Sequence, residues 1–413
     1  ARCLRCGGQC VDESPIQCER TEPAVLGATE HTQHVATGQA VKMLQEQGGT
    51  SVESAMAEYP RQADHLQRAV FQGQLEALGQ LRRILKRHGI SRDALAAASS
   101  YSKSRANAAV AELLEQGLLE PTGELASTGG RRAETLRLSR GLGVLIGVAV
   151  GATGLEVGVL SPDLTVLAHH SEPADVRDGP APVLSRIRAL MRDLLARCGV
   201  PPRQVIAIGI GLPGPVDFDS GQLVNPPLMP QWDTYSIRDD LASDFTAPVF
   251  VDNDVNVMAL GELWRMQRGL QNFLVVKVGT GIGCGVVCHG QVYRGANGSA
   301  GDVGHICVVP DGPRCHCGNL GCVEAMAAGP AIARMATEAA EAGQSPLLAR
   351  RIAERGALRL QDVAEASRAG DMAANQVVQR SGALVGQMVA SVVNFFNPSH
   401  VFIGGGITRV GPL

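Results

Sequence analysis

The stretch from Gly304 to Ala325 constrains this chain most. It reads GHICVVPDGPRCHCGNLGCVEA and brings His305, Cys315, Cys317 and Cys322 close together. Three thiols and one imidazole are a sufficient ligand set for a closed, tetrahedral Zn²⁺ site. The spacing is Cys-x-Cys-x4-Cys, with the His ten residues upstream. Gly312, Pro313, Gly318 and Gly321 lie between the ligands, so the backbone can fold tightly around a small ion. The plain alternative is a loop of reduced cysteines. Four ligand-type residues in one Gly/Pro-rich loop favour a structural zinc loop over residues 305–322. His316 and Cys307 are spare candidates: His316 is expected to point away, and Cys307 to continue into a strand leaving the site.

A chain of 413 residues has room for two or three domains. Aromatic residues are only 3%, so the core must come mainly from Ala, Val, Leu and Ile. No run of eighteen apolar residues is present, which argues against a membrane span. Eleven cysteines beside a thiol-based metal site suit a reducing, cytoplasmic compartment, and no signal peptide is visible. Residues 1–74 show weak periodicity. Their Cys3, Cys6, Cys10 and Cys18 lack a second paired knuckle, so the segment reads as an unassigned extension, disordered or non-native.

Residues 75–140 read as a winged helix-turn-helix. Leu75, Leu78, Leu81, Ile84 and Leu85 recur at helical spacing. Ser91 caps a second helix. Ser102 opens a third, with Ala106, Ala109, Val110, Leu113 and Leu114 facing inward and Gly117 ending it. Leu118–Glu120 and Glu134–Leu138 alternate on either side of a Gly-rich tip and form the wing. Between Leu75 and Val110 there are seven Lys/Arg and two acids, a local charge of +5 in a chain of net −3. Such a basic helical module is the footprint of phosphate binding. Ser102, Lys103, Arg105 and Asn107 start the third helix, whose N-terminal part reaches base edges in such modules. Arg131 and Arg132 sit at the wing tip, suited to a minor groove.

Residues 141–413 read as α/β. Val144–Val150, Leu155–Leu160, Val205–Ile210, Val249–Val251 and Phe273–Val278 are strands of the buried type, alternating with helices such as Val183–Ala196. A helix from about Ala373 to Phe396 precedes a last strand, His400–Ile403. Asp252-Asn253-Asp254 ends one strand and precedes a helix. Gly279-Thr280-Gly281-Ile282-Gly283 follows another, and its backbone N–H groups suit a phosphate.

From about Gly141 to its end the chain resembles the ROK family (repressors, open reading frames and sugar kinases), on Gly301-Asp302-Val303-Gly304-His305, the Cys cluster and Glu324. The family carries Glu where Asp302 stands. The Ser-Thr-Gly-Gly-Arg tip, Ser127–Arg131, resembles that of its DNA-binding members, the xylose- and N-acetylglucosamine-type repressors. The resemblance implies a two-lobed, ribonuclease-H-like (actin/hexokinase-like) domain with a sugar cleft. It also implies a longer chain than one ending at Leu413, so a truncated C-terminus is expected. It assigns sugar contacts to Asn253, Asp254, Asp302, His305, Glu324 and Gly214 of the Gly211–Pro215 loop, with Asn225-Pro226-Pro227 as a second cleft loop. Asp254 would be the base of any kinase activity, and Thr153, Gly279, Thr280 and Gly281 would face nucleotide phosphates.

The kinases of the family carry Asp-x-Gly-x-Thr in the first hairpin, where this chain has Ala149-Val150-Gly151-Ala152-Thr153. A methyl stands where a carboxylate orients Mg²⁺-nucleotide, which speaks against ATP/Mg²⁺ chemistry. The expectation is therefore a sugar-responsive regulator. It would bind operator DNA as a homodimer or homotetramer, take a monosaccharide or sugar-phosphate effector, hold structural Zn²⁺ and stay off membranes. An ATP-dependent sugar kinase that keeps a DNA-binding half is the alternative. A metal or redox sensor reading its Cys-rich sites is a third.

Overall fold

The computed structural model describes residues 90–91, 102–124, 134–265 and 270–410. The extension 1–74, the first two helices of the basic module, the wing-tip residues Arg131 and Arg132, and the last three residues lie outside the described residues. Ahead of the α/β region stand β1 (Ile90–Ser91), α1 (Lys103–Glu115), β2 (Leu119–Glu124) and β3 (Glu134–Leu138). Ser102 caps α1, its Oγ accepting from the Arg105 N–H at 3.4 Å. Of the five residues expected to face inward, Ala106, Val110 and Leu113 are buried, while Ala109 and Leu114 are half-buried. The β2–β3 hairpin is antiparallel and buries Leu119, Leu136 and Leu138. Sequence reasoning missed β1, which adds Ile90–Ser91 to the free edge of β3. A two-residue strand carries no periodicity to find.

The first lobe is a five-stranded sheet, in the order β10-β7-β4-β5-β6. Its strands are β4 (Val144–Val150), β5 (Gly154–Leu160), β6 (Val166–Pro173), β7 (Val205–Leu212) and β10 (Val249–Asn253). β4, β7 and β10 run parallel, and β4, at the centre of the sheet, is buried along its whole length. The helix α2 (Pro180–Arg197) packs Val183, Leu184, Ile187, Leu190, Met191 and Leu194 against it. A short pair, β8 (Val216–Asp217) and β9 (Gln222–Leu223), follows β7, and the short helix α3 (Ile237–Ala242) precedes β10.

The second lobe is built on β11 (Phe273–Val278), β12 (Ile282–Cys288), β13 (Gln291–Tyr293) and β14 (His400–Gly404), in the order β13-β12-β11-β14. Alternation along β11 decides what covers each face. Leu274, Val276 and Val278 pack with Met388 and Leu384 of α9 (Met372–Phe396). Phe273 and Val275 pack with Met258, Ala259 and Leu260 of α4 (Asp254–Arg265). Gly285 on β12 allows the approach of α4, since a Cβ there would lie 2.4 Å from the Val255 carbonyl oxygen. Among the described residues the remaining α-helices are α5 (Val323–Ala327), α6 (Gly329–Glu341), α7 (Pro346–Arg355) and α8 (Leu360–Arg368). Among the described residues no helix is long and apolar enough to cross a membrane.

One ion cluster ties the edge strand β6 to α2. Glu172 accepts from Arg186 Nε and Nη2, both at 2.6 Å, and from His170 Nε2 at 2.8 Å. The Arg186 hydrogen bonds, against a smaller opposing effect of burial, hold the Glu172 carboxyl at about 2, below its ordinary 4.5. A depressed acid stabilises the fold above its unfolded value, and that contribution disappears as pH falls from about 4.5 to about 2. Glu172→Gln is therefore expected to flatten the fall of stability across that window, as read from denaturant midpoints. Identical pH dependence in the variant and the parent would contradict this.

Candidate functional site

Three consecutive residues at the β10–α4 junction each tie down a different segment. Asp252 is fully buried. Its Oδ2 accepts from Arg294 Nε at 3.0 Å and Nη2 at 2.6 Å, and its Oδ1 from the Asn253 N–H at 2.8 Å and Asn256 Nδ2 at 3.0 Å. The Arg294 guanidinium lies 4.5 Å from the centre of the Phe218 ring. Arg294 directly follows β13, so the pair joins the second lobe to the first. Asn253 donates from Nδ2 to the Gly214 carbonyl at 2.6 Å, and its Oδ1 accepts from the Val255 N–H at 2.9 Å. Asp254 opens α4, where the positive end of the helix favours a carboxylate, and it accepts from Lys277 Nζ.

The Cys/His set assembles as one cluster. Ligand atoms of His305, Cys315, Cys317 and Cys322 all lie within 4.8 Å of one another. His305 Nδ1 is 3.5 Å from Cys315 Sγ, and Cys317 Sγ is 3.7 Å from Cys322 Sγ. Burial pushes the Cys322 thiol up to about 12 and raises Cys315 as well. Such thiols become thiolates only beside a cation, which is the chemistry of a metal ligand. Gly321 is required by the turn: its φ is +63°, and a Cβ would lie 1.5 Å from the Val309 carbonyl oxygen. Cys307 and His316 are exposed and outside the cluster, and Cys307 makes an isolated antiparallel bridge to Cys322.

The cluster abuts a cleft of about 1140 Å³. Gly214, Asn253, Asp254, Asp302, His305 and Glu324 line it, and so do Thr153, Gly279, Thr280 and Gly281. The Asn225-Pro226-Pro227 loop and Cys317 complete part of the wall. His305 Nε2 lies 3.7 Å from Asp302 Oδ1, while its Nδ1 faces the thiols. Burial raises the Asp302 carboxyl above its ordinary value, against a smaller opposite effect of His305. Glu324 Oε2 accepts from the Ile282 N–H at 2.9 Å, at the end of the Gly-rich turn. Ala149 is buried at the end of β4 and packs on Val257 of α4. Ser102, Lys103 and Arg105 are exposed at the start of α1, and Asn107 is half-buried there.

Sequence reasoning missed Lys277, Asp252 as a buried charge, and Arg294. One local signal existed for Lys277, a single cation inside the apolar strand FLVVKV. Arg294 had none, because its partner lies 42 residues away in sequence.

Residues 145–413 match the ROK family. A glucokinase of Halalkalibacterium halodurans is 34% identical over 268 residues, 64% of this chain and 81% of the relative. The DNA-binding transcriptional dual regulator NagC of Escherichia coli K12 is 30% identical over 334 residues, 79% of each chain. The crystal structure of a ROK family transcriptional regulator, a homologue of the E. coli MLC protein, superposes with a TM-score of 0.64 at 28% identity, covering 82% of this chain and 84% of that one.

The Asp252–Arg294 pair generates a test of the junction. Arg294→Met strands a fully buried carboxylate, and removing one partner of such a pair costs about 3–5 kcal/mol. Asp252→Asn in the same chain is expected to recover much of that loss in denaturant unfolding. Equal destabilisation of the single and double variants would contradict the assignment.

Proposed function

This chain belongs to the ROK family, with its mixed α/β, actin/hexokinase-like fold, and we propose that it is a sugar-responsive, DNA-binding regulator of carbohydrate metabolism acting as a repressor. Ala149 carries the reading. The position that resembles the family's nucleotide-orienting carboxylate holds a buried methyl against Val257, whereas the polar groups suited to a sugar all face one cleft. Sugars present many hydroxyls. Asn253 offers donor and acceptor, and Asp254, Asp302, His305 and Glu324 offer further polar partners.

The reach of the relatives supports the same reading. The match to the regulator NagC is longer than residues 145–413, so it includes residues ahead of the cleft domain, and the match to the glucokinase does not need them. Those preceding residues contain α1 and the β2–β3 hairpin. In this proposal residues 75–140 form a winged helix-turn-helix that binds operator DNA in a homodimer or homotetramer. Ser102, Lys103, Arg105 and Asn107 face base edges, and Arg131 and Arg132 enter a minor groove.

His305, Cys315, Cys317 and Cys322 fit Zn²⁺ in kind and in proximity. The ion would supply the charge that keeps the thiols deprotonated, and it would fix the His305 ring with Nε2 toward the cleft. A sugar touching the junction residues and the Cys-loop residues together favours one arrangement of the lobes, and so couples to operator affinity by about 1–3 kcal/mol. A phosphoryl-transfer reading keeps one observation in its favour, the presence of Asp254 and the Gly279 turn on the same cleft.

The test reads operator affinity with and without each of a panel of monosaccharides and sugar phosphates, and ATP turnover in the same samples. One ligand is expected to shift operator affinity roughly 5–150-fold. Asp254→Asn and Glu324→Gln should abolish that shift while leaving ligand-free DNA binding within a few-fold. Turnover should be negligible. Robust turnover, or an operator affinity indifferent to the whole panel, would overturn the proposal.

A further inference from the structure

We propose that Lys277 fixes Asp254 as a standing hydrogen-bond acceptor and withholds it from proton transfer, so that the cleft binds a sugar without phosphorylating it. This rests on the regulator reading above and names the residue that enforces it. Lys277 is the third residue on the face of β11 that carries Phe273 and Val275, the face covered by α4. Its cross-strand neighbours are Gly283 on β12 and Gly404 on β14, neither of which has a side chain to compete for it. The stem therefore runs along the sheet to the first residue of α4, where Nζ donates to Asp254 Oδ2. The Lys277 side chain is 23% exposed and that of Asp254 only 9%. A half-buried cation on the cleft wall is favoured there because this carboxylate faces it.

In phosphoryl transfer the sugar hydroxyl oxygen bonds to the γ-phosphorus, and the bond from that phosphorus to ADP breaks with its electron pair leaving on ADP. The hydroxyl proton passes to a carboxylate base. Were Asp254 that base, taking the proton would extinguish its charge and take from the half-buried Lys277 ammonium the carboxylate that faces it. Accepting a hydroxyl hydrogen bond carries no such penalty. A carboxylate has about four lone-pair sites, and Lys277 uses one. The pair thus separates binding from catalysis at one side chain. It acts independently of Ala149, which removes the nucleotide-orienting carboxylate on another element.

The test removes the two obstacles separately in the full chain, with D-glucose and Mg-ATP as probes. Ala149→Asp alone is expected to remain silent. Ala149→Asp with Lys277→Thr should turn over at least about a hundredfold faster, the lower end of what a general base supplies. Ala149→Asp with Lys277→Arg, which keeps the cation, should stay silent. The inference fails if Ala149→Asp alone matches the Lys277→Thr double variant, or if that double variant is no faster than the single. Ala149 packs on Val257, so an Asp there can prevent folding, which melting curves reveal. In that case calorimetry of D-glucose binding to the Lys277→Thr and Lys277→Arg single variants decides. Roughly tenfold weaker binding in the first, with the second within a few-fold of the parent, supports the role. Equal affinities in all three overturn it. None of these variants enters the operator measurement on the unsubstituted chain, so failure of the regulator reading shows separately.

Discussion

The hydrogen bond from the Ile282 N–H to Glu324 Oε2 is the contact on which the cleft depends. Glu324 stands two residues after Cys322, at the start of α5, and Ile282 begins β12 directly after the Gly279-Thr280-Gly281 turn. One carboxylate therefore pins the Cys/His loop to the sheet of the second lobe. A hydrogen bond to a charged group is worth about 1.5–3 kcal/mol, and this one also fixes where the remaining Glu324 oxygen faces. That oxygen lies 3.9 Å from Cys315 Sγ, so the acid belongs to the cluster's surroundings as much as to the cleft. The order of the loop and the shape of the pocket cannot vary independently.

The β10–α4 junction is the counterpart on the other wall. Asp252, Asn253 and Asp254 point to Arg294, to the Gly214 carbonyl and to Lys277 respectively, which are three separate segments. Successive residues of a strand end face opposite ways, and the start of a helix turns the third again. A short polar run thereby braces both lobes. The arrangement spends one ion pair with a fully buried carboxylate on geometry rather than on stability, since buried pairs seldom exceed their desolvation cost. In the proposed regulator that expense has a use, because a ligand can report on lobe arrangement only if its contacts are rigid within each lobe.

The clustering of His305, Cys315, Cys317 and Cys322 was legible in sequence because the four sit on one short loop. Strands β4, β5, β7, β10, β11 and β14 were legible from apolar runs and α9 from its length, whereas β6, β8, β9, β12 and β13, shorter, more polar or glycine-broken, were not. The side-chain contacts that were not legible depend on register. Lys277 meets Asp254 only because β11 places every second residue under α4, and Arg294 meets Asp252 only through the β12–β13 hairpin. β1 is too short to show a period, and it exists because β3 leaves an edge open. The residues placed on the cleft by resemblance do line one cavity, but lining a cavity is a matter of position, and their roles follow from the proposed function.

The central claim is that a metal-held loop fixes the cleft through Glu324. Metal analysis joined to amide hydrogen exchange of the full chain, before and after treatment with a chelator, tests it most directly. The account predicts about one Zn²⁺ per chain as purified. It predicts that removal of the ion speeds exchange at the Ile282 amide and around residues 305–322, while the Asn253 and Val255 amides of the other wall change little. Protein that never carries the ion, or exchange at Ile282 unaltered by its loss, would contradict it.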